Sequence, residues 1–386
     1  MEFKALLKKI YIHMYKFFFR LTYNIFSSLN TVEDNKLVIS LYRTEYLEGN
    51  LKYVHDEILR QFPEAKIHLV SYKNKMNLKL FKEAKLLANA RYLILDDYYL
   101  PIYLLKPNNS LKVIQLWHAA GALKKFGYST IGTKFGPTKE HLNLIPIHSN
   151  YTHVYVSSSN IIDYYAEAFN MSRKRIYPIG IPRIDQFNDI ENKNYIVKKI
   201  LEENNEINDN KINILIAPTY RANKIKQSES SFDLIEFISL NRDSFKQEIR
   251  FIIKAHPYMN TSNMFSRTDN KNMFFLASNN YSINDWMLIS DAFITDYSSS
   301  VFEFALLQKP IAHLVPDKEE YLKNRGLYQE LRDISDGSIL NNNTELISWV
   351  NARTKHDYFN TDRMVNINFD NTKEVSNKIV KHFLNN

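Results

Sequence analysis

The chain reads as an α/β protein of two doubly wound lobes preceded by a separate helix. Short apolar runs alternate with helical stretches twice along it, first over 36–157 and again over 212–314. That alternation argues for parallel sheets with helices on both faces. A polar, charge-rich stretch divides the two series. The length of 386 residues also exceeds one ordinary core, since chains split into domains beyond roughly 250–300 residues.

Residues 1–29 form the first element. Phe3, Leu6, Leu7, Ile10, Met14, Phe17, Phe18, Leu21 and Ile25 recur at helical spacing, with Lys4, Lys8, Lys9, Lys16 and Arg20 among them. The apolar runs are shorter than the roughly 20 residues a membrane span needs. Charges interrupt them and no small-residue cleavage site follows, so a signal peptide is not expected. A basic amphipathic helix lying on an anionic membrane surface is the functional expectation. A helix packed on the protein's own core is the alternative.

The first lobe spans 30–188. Strands are expected at Lys36–Leu41, Lys66–Tyr72, Tyr92–Asp96, Lys112–Leu116 and Val154–Ser157, with helices such as Tyr53–Gln61 and Lys79–Asn89 between them. The stretch from Asp189 to Lys211 reads as a helix plus loop between domains. The second lobe, 189–386, has expected strands at Ile212–Ala217, Arg250–Lys254, Met273–Leu276, Ala292–Thr295 and Ile311–Leu314. Two such lobes place an active site in the cleft between them, beyond the carboxyl ends of the strands.

Composition removes several classes of chemistry. There is no cysteine, so disulfides, thiolate catalysis and cysteine-ligated zinc are excluded. Neither GxGxxG nor a Walker A loop is present among the eight glycines, which argues against the common dinucleotide and ATP cradles. The net charge of +8 points to an anionic partner. Nucleic acid is not expected, because no zinc finger, RNP-type motif or basic tract occurs. The histidines His55, His68, His141, His148, His153 and His313 lack metal-ligand spacing, and no metal or other cofactor is expected. Asp96-Asp97 reads as the end of an edge strand rather than a cation site.

Four polar clusters follow predicted strands. In Trp117-His118-Ala119, His118 stands past a strand end, in a turn loosened by Gly121. A histidine there can take a proton from a hydroxyl at neutral pH. In Ala217-Pro218-Thr219-Tyr220-Arg221, Arg221 can fork onto a phosphate and Thr219 can donate a hydrogen bond. In Lys254-Ala255-His256-Pro257, the proline ends the strand and His256 can donate to a phosphate oxygen.

The fourth cluster is Thr295-Asp296-Tyr297-Ser298-Ser299-Ser300. It opens a helix directly after a strand, and helix-start N–H groups, hydroxyls and the dipole end favour phosphate. Ser300-Val301-Phe302-Glu303 also fits a capping box. Glu303 reads equally as part of that cap or as a ligand for ribose hydroxyls.

Together QLWHAAGALKKFG, GIPRID (180–185), APTYR, KAHP and ISDAFITDYSSSVFEFALLQKPI resemble the motif series of the CDP-glycerol glycerophosphotransferases, the teichoic-acid and capsule enzymes of the TagB/TagF type. The resemblance covers roughly residues 110–315. It implies a GT-B-like pair of Rossmann-type lobes with the donor nucleotide on the C-terminal lobe. By it, His118 matches the proposed general base and His256 the His-Pro histidine that contacts the donor's phosphates. Asp296, Ser298 and Ser299 match the turn that receives the pyrophosphate. Arg221 matches the arginine of Pro-Thr-Trp-Arg, with Tyr220 in the tryptophan's place, and Glu303 falls where an acidic residue is frequent. The family's Trp-His-Gly here reads Trp-His-Ala, which leaves alditol and acceptor preference open.

The implied reaction moves glycerol-phosphate from CDP-glycerol to a hydroxyl of a lipid-linked saccharide or polyol-phosphate acceptor, releasing CMP. It would occur at the cytoplasmic face of the membrane, with the enzyme peripherally bound, and would need no metal if the basic groups and serine-turn donors suffice. The absence of an obvious acceptor-tracking domain favours adding one or few units. Three alternatives stand beside it: CDP-ribitol as donor, a GT-B nucleotide-sugar glycosyltransferase, and a catalytically silent donor-binding partner.

Overall fold

A computed structural model describes residues 2–42, 45–71, 75–133, 136–207, 209–219, 234–255 and 273–385. The chain forms two compact units, residues 1–185 with 369–386, and residues 186–368.

In the first unit the strands are β1 (Glu33–Leu41), β2 (Lys66–Ser71), β3 (Ala90–Leu95), β4 (Lys112–Gln115), β5 (His153–Tyr155) and β6 (Ile176–Tyr177). All pair in parallel, in the order β2-β1-β3-β4-β5-β6. Buried runs such as Leu93-Ile94-Leu95 and Val113-Ile114 suit strands covered on both faces. The order reverses between β1 and β3, so ligand groups belong beyond the carboxyl ends there. β3 lies between β1 and β4, which corrects the expectation that Asp96-Asp97 end an edge strand. Strand order is not written in local periodicity. The edge strands here are the largely exposed β2 and the two-residue β6.

The second unit holds β7 (Ile212–Ile216), β8 (Ile249–Ile253), β9 (Phe274–Leu276), β10 (Ala292–Thr295), β11 (Ile311–Leu314) and β12 (Ser338–Leu340). Their order, β12-β11-β10-β7-β8-β9, is again wholly parallel. Counted within the unit it is the doubly wound dinucleotide-fold order, with its reversal between β7 and β10. Ile214, Ile216, Phe251, Ile253, Ile294 and Leu314 form the centre of its core. The charge-rich stretch after Asp189 is a helix, Ile190–Glu203, and belongs to this unit.

The N-terminal helix α1 (Glu2–Leu29) has apolar residues on two faces. Ile12, Tyr15, Phe19 and Tyr23 are buried in the first unit, and the rings of Tyr15 and Phe19 meet Phe81 edge-on at 5.4 and 5.6 Å. Lys16 and Arg20 donate to the carbonyls of Leu144 and Leu104. Phe3, Leu6, Leu7, Ile10, Met14, Phe17, Phe18, Leu21 and Ile25 remain exposed.

The helix Val375–Asn385 is also part of the first unit, and the GIPRID stretch anchors it. Asp185 accepts from the N–H groups of Val375 and Ser376, both at 2.8 Å. Gly180 has φ +130°, and a Cβ there would stand 2.7 Å from Val375 Cγ1. Glycine therefore meets a backbone and a packing requirement at once. Asp185→Ala leaves two helix-start N–H groups without this acceptor and should cost about 1–2 kcal/mol. Hydrogen exchange checks it: amides of Val375–Asn385 should exchange about tenfold faster, while those of β7 and β10 stay unchanged.

Candidate active site

His118 owes its place to the pairing of β3 with β4. Leu95 lies opposite Gln115 in the parallel register, and Leu116 N–H donates to the Leu95 carbonyl at 2.7 Å. The Gln115 side chain then clamps both strand ends, donating to the Asp97 carbonyl at 3.1 Å and accepting from Trp117 N–H at 2.8 Å. Trp117 has φ +53°, a left-handed conformation that bulky residues rarely adopt. Asn50 donates to its carbonyl at 2.7 Å and accepts from Arg183 N–H at 3.1 Å. The Arg183 guanidinium donates to the His118 carbonyl at 3.1 Å.

The imidazole of His118 stacks on the buried Trp117 indole, with centroids 4.3 Å apart. Its Nδ1 lies 3.1 Å from the Asp96 carbonyl and 3.5 Å from Asp97 Oδ2. A carbonyl only accepts, so Nδ1 carries the proton and Nε2 carries the lone pair of the neutral ring. The side chain is one-quarter exposed. In that tautomer Nε2 is the ring nitrogen able to accept a proton.

His148 lies in the same aromatic cluster, with its ring against Tyr98, Phe169 and Trp117. It is 1 % exposed. Its Nδ1 meets the Tyr151 hydroxyl at 3.3 Å, and its Nε2 has no hydrogen-bond partner among the described residues. Burial, with a smaller contribution from His118, lowers its pKa to about 3.

In the second unit, Thr219 and Asp296 stand beyond the carboxyl ends of β7 and β10, at the reversal of strand order. Asp296 Oδ1 accepts from Thr219 N–H at 2.9 Å and from the Thr219 hydroxyl. Asp296 is buried, and its carboxylate braces one strand end against the other. Its carbonyl meets Nδ1 of His313, whose Nε2 meets the Ser335 hydroxyl at 2.8 Å. Burial lowers the pKa of His313, against the opposing effect of the Asp296 carbonyl.

Ser298 and Ser300 join hydroxyls at 2.7 Å at the start of helix Ser300–Ala305. The N-cap residue of that helix is Ser299, whose own side chain makes no cap, while Ser300 N–H donates to the Ser298 hydroxyl at 3.4 Å. The expected Ser300–Glu303 capping box is therefore not formed, because the helix begins one residue too early for it. A capping box does occur at Ser282–Asp285. Glu303 is fully buried. His256 and Arg221, the other two expected site residues, lie outside the described residues, as does Tyr220. Among the described residues, His, Asp and Glu do not gather in any group suited to a metal ion.

Asn50, Arg183, Asp97, His148 and His313 are site neighbours that sequence reasoning passed over. Arg183 sits inside the quoted GIPRID stretch, and Asp97 in the noted acidic pair. Asn50 lies in no motif, and only its contacts show its role.

Two parallel, doubly wound units with polar clusters beyond the carboxyl ends of their strands define a GT-B-like fold. The chain belongs to the CDP-glycerol:poly(glycerophosphate) glycerophosphotransferase family, whose model matches residues 20–382. It is 35% identical over 329 residues to a teichoic acid ribitol-phosphate primase of Bacillus spizizenii, covering 83% of each chain. It is 31% identical over 313 residues to a teichoic acid glycerol-phosphate primase of Bacillus subtilis, covering 79% of this chain and 78% of that one. In fold it resembles the wall teichoic acid polymerase TagF, with a TM-score of 0.75 at 18% identity over 99% of this chain and 98% of the other.

The cluster around His118 carries a pH signature. His148 is neutral in the fold down to about pH 3, whereas in the unfolded chain it binds a proton near pH 6.5. Its folded pKa is depressed, so the unfolded state holds more protons and stability is lost as pH falls from about 6.5 towards 3. His148→Phe removes this sensitivity. Between about pH 7 and about pH 5.5, wild type should lose about 1 kcal/mol more than the variant in urea unfolding.

Proposed function

We propose that the chain transfers an alditol-phosphate from a CDP-alditol to a hydroxyl of a lipid-linked teichoic-acid acceptor, releasing CMP. The observation that carries this reading is His118, held with Nδ1 on an acceptor-only carbonyl and its lone pair on Nε2. In this reading Nε2 takes the acceptor hydroxyl proton. The oxygen attacks the alditol-side phosphorus as the bond to CMP breaks, and CMP leaves with the electron pair.

The pyrophosphate would lie on Ser298, Ser299 and the helix start at Ser300, with His256 and Arg221 as further donors. Asp296 and Thr219 brace that turn rather than contact phosphate, because the Asp296 carboxylate is already engaged and would repel an anion. Preorganised donors of this kind supply much of the acceleration in phosphoryl transfer.

The donor alditol we infer to be ribitol. The similarity to a ribitol-phosphate primase, 35% over 83% of each chain, supports it over glycerol, with the glycerol-phosphate primase at 31% as support for the second reading. CMP release should be measured with CDP-ribitol and CDP-glycerol on a lipid-linked saccharide acceptor. CDP-ribitol should give the higher kcat/KM, and His118→Ala should lower kcat at least about 10²-fold. Turnover of neither donor, or full activity of His118→Ala, removes the reading. The length of the product distinguishes priming from polymerisation.

The acceptor's lipid sets a second requirement, and α1 fits it. Its exposed apolar face, from Phe3 to Ile25, is flanked by the exposed Lys4 and Lys8. No helix among the described residues is long and apolar enough to cross a membrane. We infer that α1 lies in the plane of an anionic membrane surface, its buried face holding it to the first unit. In flotation assays the protein should bind vesicles containing phosphatidylglycerol and bind neutral vesicles less. Phe17→Asp with Leu21→Asp should abolish flotation and leave the melting temperature unchanged.

A further inference from the structure

We propose that Asp97 is a positioning residue for His118, orienting its imidazole and stabilising the imidazolium formed when the acceptor proton is taken. The inference rests on the reading of His118 as the base.

The geometry begins with the strands. The register of β3 on β4 sets Asp96 and Asp97 alongside Leu116 and Trp117. The left-handed turn at Trp117 then folds the ring of His118 back over the end of β3. There it meets the Asp96 carbonyl at 3.1 Å and Asp97 Oδ2 at 3.5 Å. The carbonyl fixes which nitrogen carries the proton. The carboxylate adds a full negative charge on the same edge of the ring.

Asp97 is itself fixed. It is 3 % exposed, its Oδ1 accepts from Tyr98 N–H at 2.7 Å, and its carbonyl accepts from Gln115. A carboxylate withdrawn from water interacts strongly with a charge at this distance, because little solvent screens the pair. Other groups near the ring contribute differently: His148 is neutral, Arg183 donates to the His118 carbonyl, Tyr98 packs edge-on against the Trp117 indole, and Asp96 presents its carbonyl. Asp97 is therefore the anion best placed to favour imidazolium.

Asp97→Asn tests this, since it removes the charge and keeps an acceptor for Tyr98 N–H. The His118 ring resonance, identified by its loss in His118→Ala, should titrate on the order of one pH unit lower in Asp97→Asn. In CMP release from the CDP-alditol, kcat should fall roughly 10- to 100-fold with KM within about twofold. Asp97→Glu keeps the charge and should return the titration toward the wild-type value. A titration in Asp97→Asn equal to wild type, or one in Asp97→Glu as low as in Asp97→Asn, overturns the proposal. An active His118→Ala overturns the base reading instead, and the titrations then still report whether the pair exists.

Discussion

The placement of His118 depends on a strained turn held between two parallel strands. A left-handed tryptophan costs roughly 1–2 kcal/mol relative to an ordinary conformation. Against it stand three hydrogen bonds at the turn, from Gln115, Asn50 and Arg183, each contributing about 1 kcal/mol net. The indole is also buried among Phe126, Phe169 and His148. The sum favours the turn, and the result is a histidine whose ring is supported on one face by tryptophan. Without the reversal at Trp117, β4 would carry His118 onward instead of back over the end of β3.

The second unit solves a related problem with different chemistry. Strand order reverses between β7 and β10, which pair directly, and beyond their carboxyl ends polar groups tie the two chain segments. Thr219 and Asp296 do so by hydrogen bonds. Thr295 adds a bond to the Ala217 carbonyl at 2.6 Å, and His313 supports the Asp296 carbonyl from beneath. Of the serines that follow, Ser298 and Ser299 are partly open and Ser300 is buried, on a helix start whose N-cap Ser299 makes no side-chain cap. Rigidity lies in Asp296, and the serines lie two to four residues further on.

Much of this was legible in the sequence because buried parallel strands leave a plain signature. The runs at Ala292–Thr295 and Ile311–Leu314 end at the expected residues, since apolar residues stop where the backbone leaves the sheet. The two-residue strand Ile176–Tyr177 and the short Ser338–Leu340 left no such signal. Relations across the chain were not legible. Asp97 reads as the carboxylate at the end of an edge strand, because the identity of its neighbouring strand depends on topology. Asp185 and Gly180 carried a motif without a purpose until the helix at Val375 was seen to rest on both. The serine turn suggested a capping box because Ser-x-x-Glu is a local pattern, whereas the actual first turn is set by how the chain leaves β10.

Two histidines in one aromatic cluster show how environment, not residue type, assigns the chemistry. His148 meets a tyrosine hydroxyl and ring faces, and burial keeps it neutral. His118, against the same tryptophan, has water on one side and a carbonyl and carboxylate on the other. Protonation of His148 would place a charge among rings with no acceptor for its Nε2 proton. Protonation of His118 places a charge beside an anion. Groups whose surroundings separate their proton affinities divide structural from catalytic work. By that criterion His148 maintains the shape of the cluster, and His118 is the histidine able to accept a proton without disturbing it.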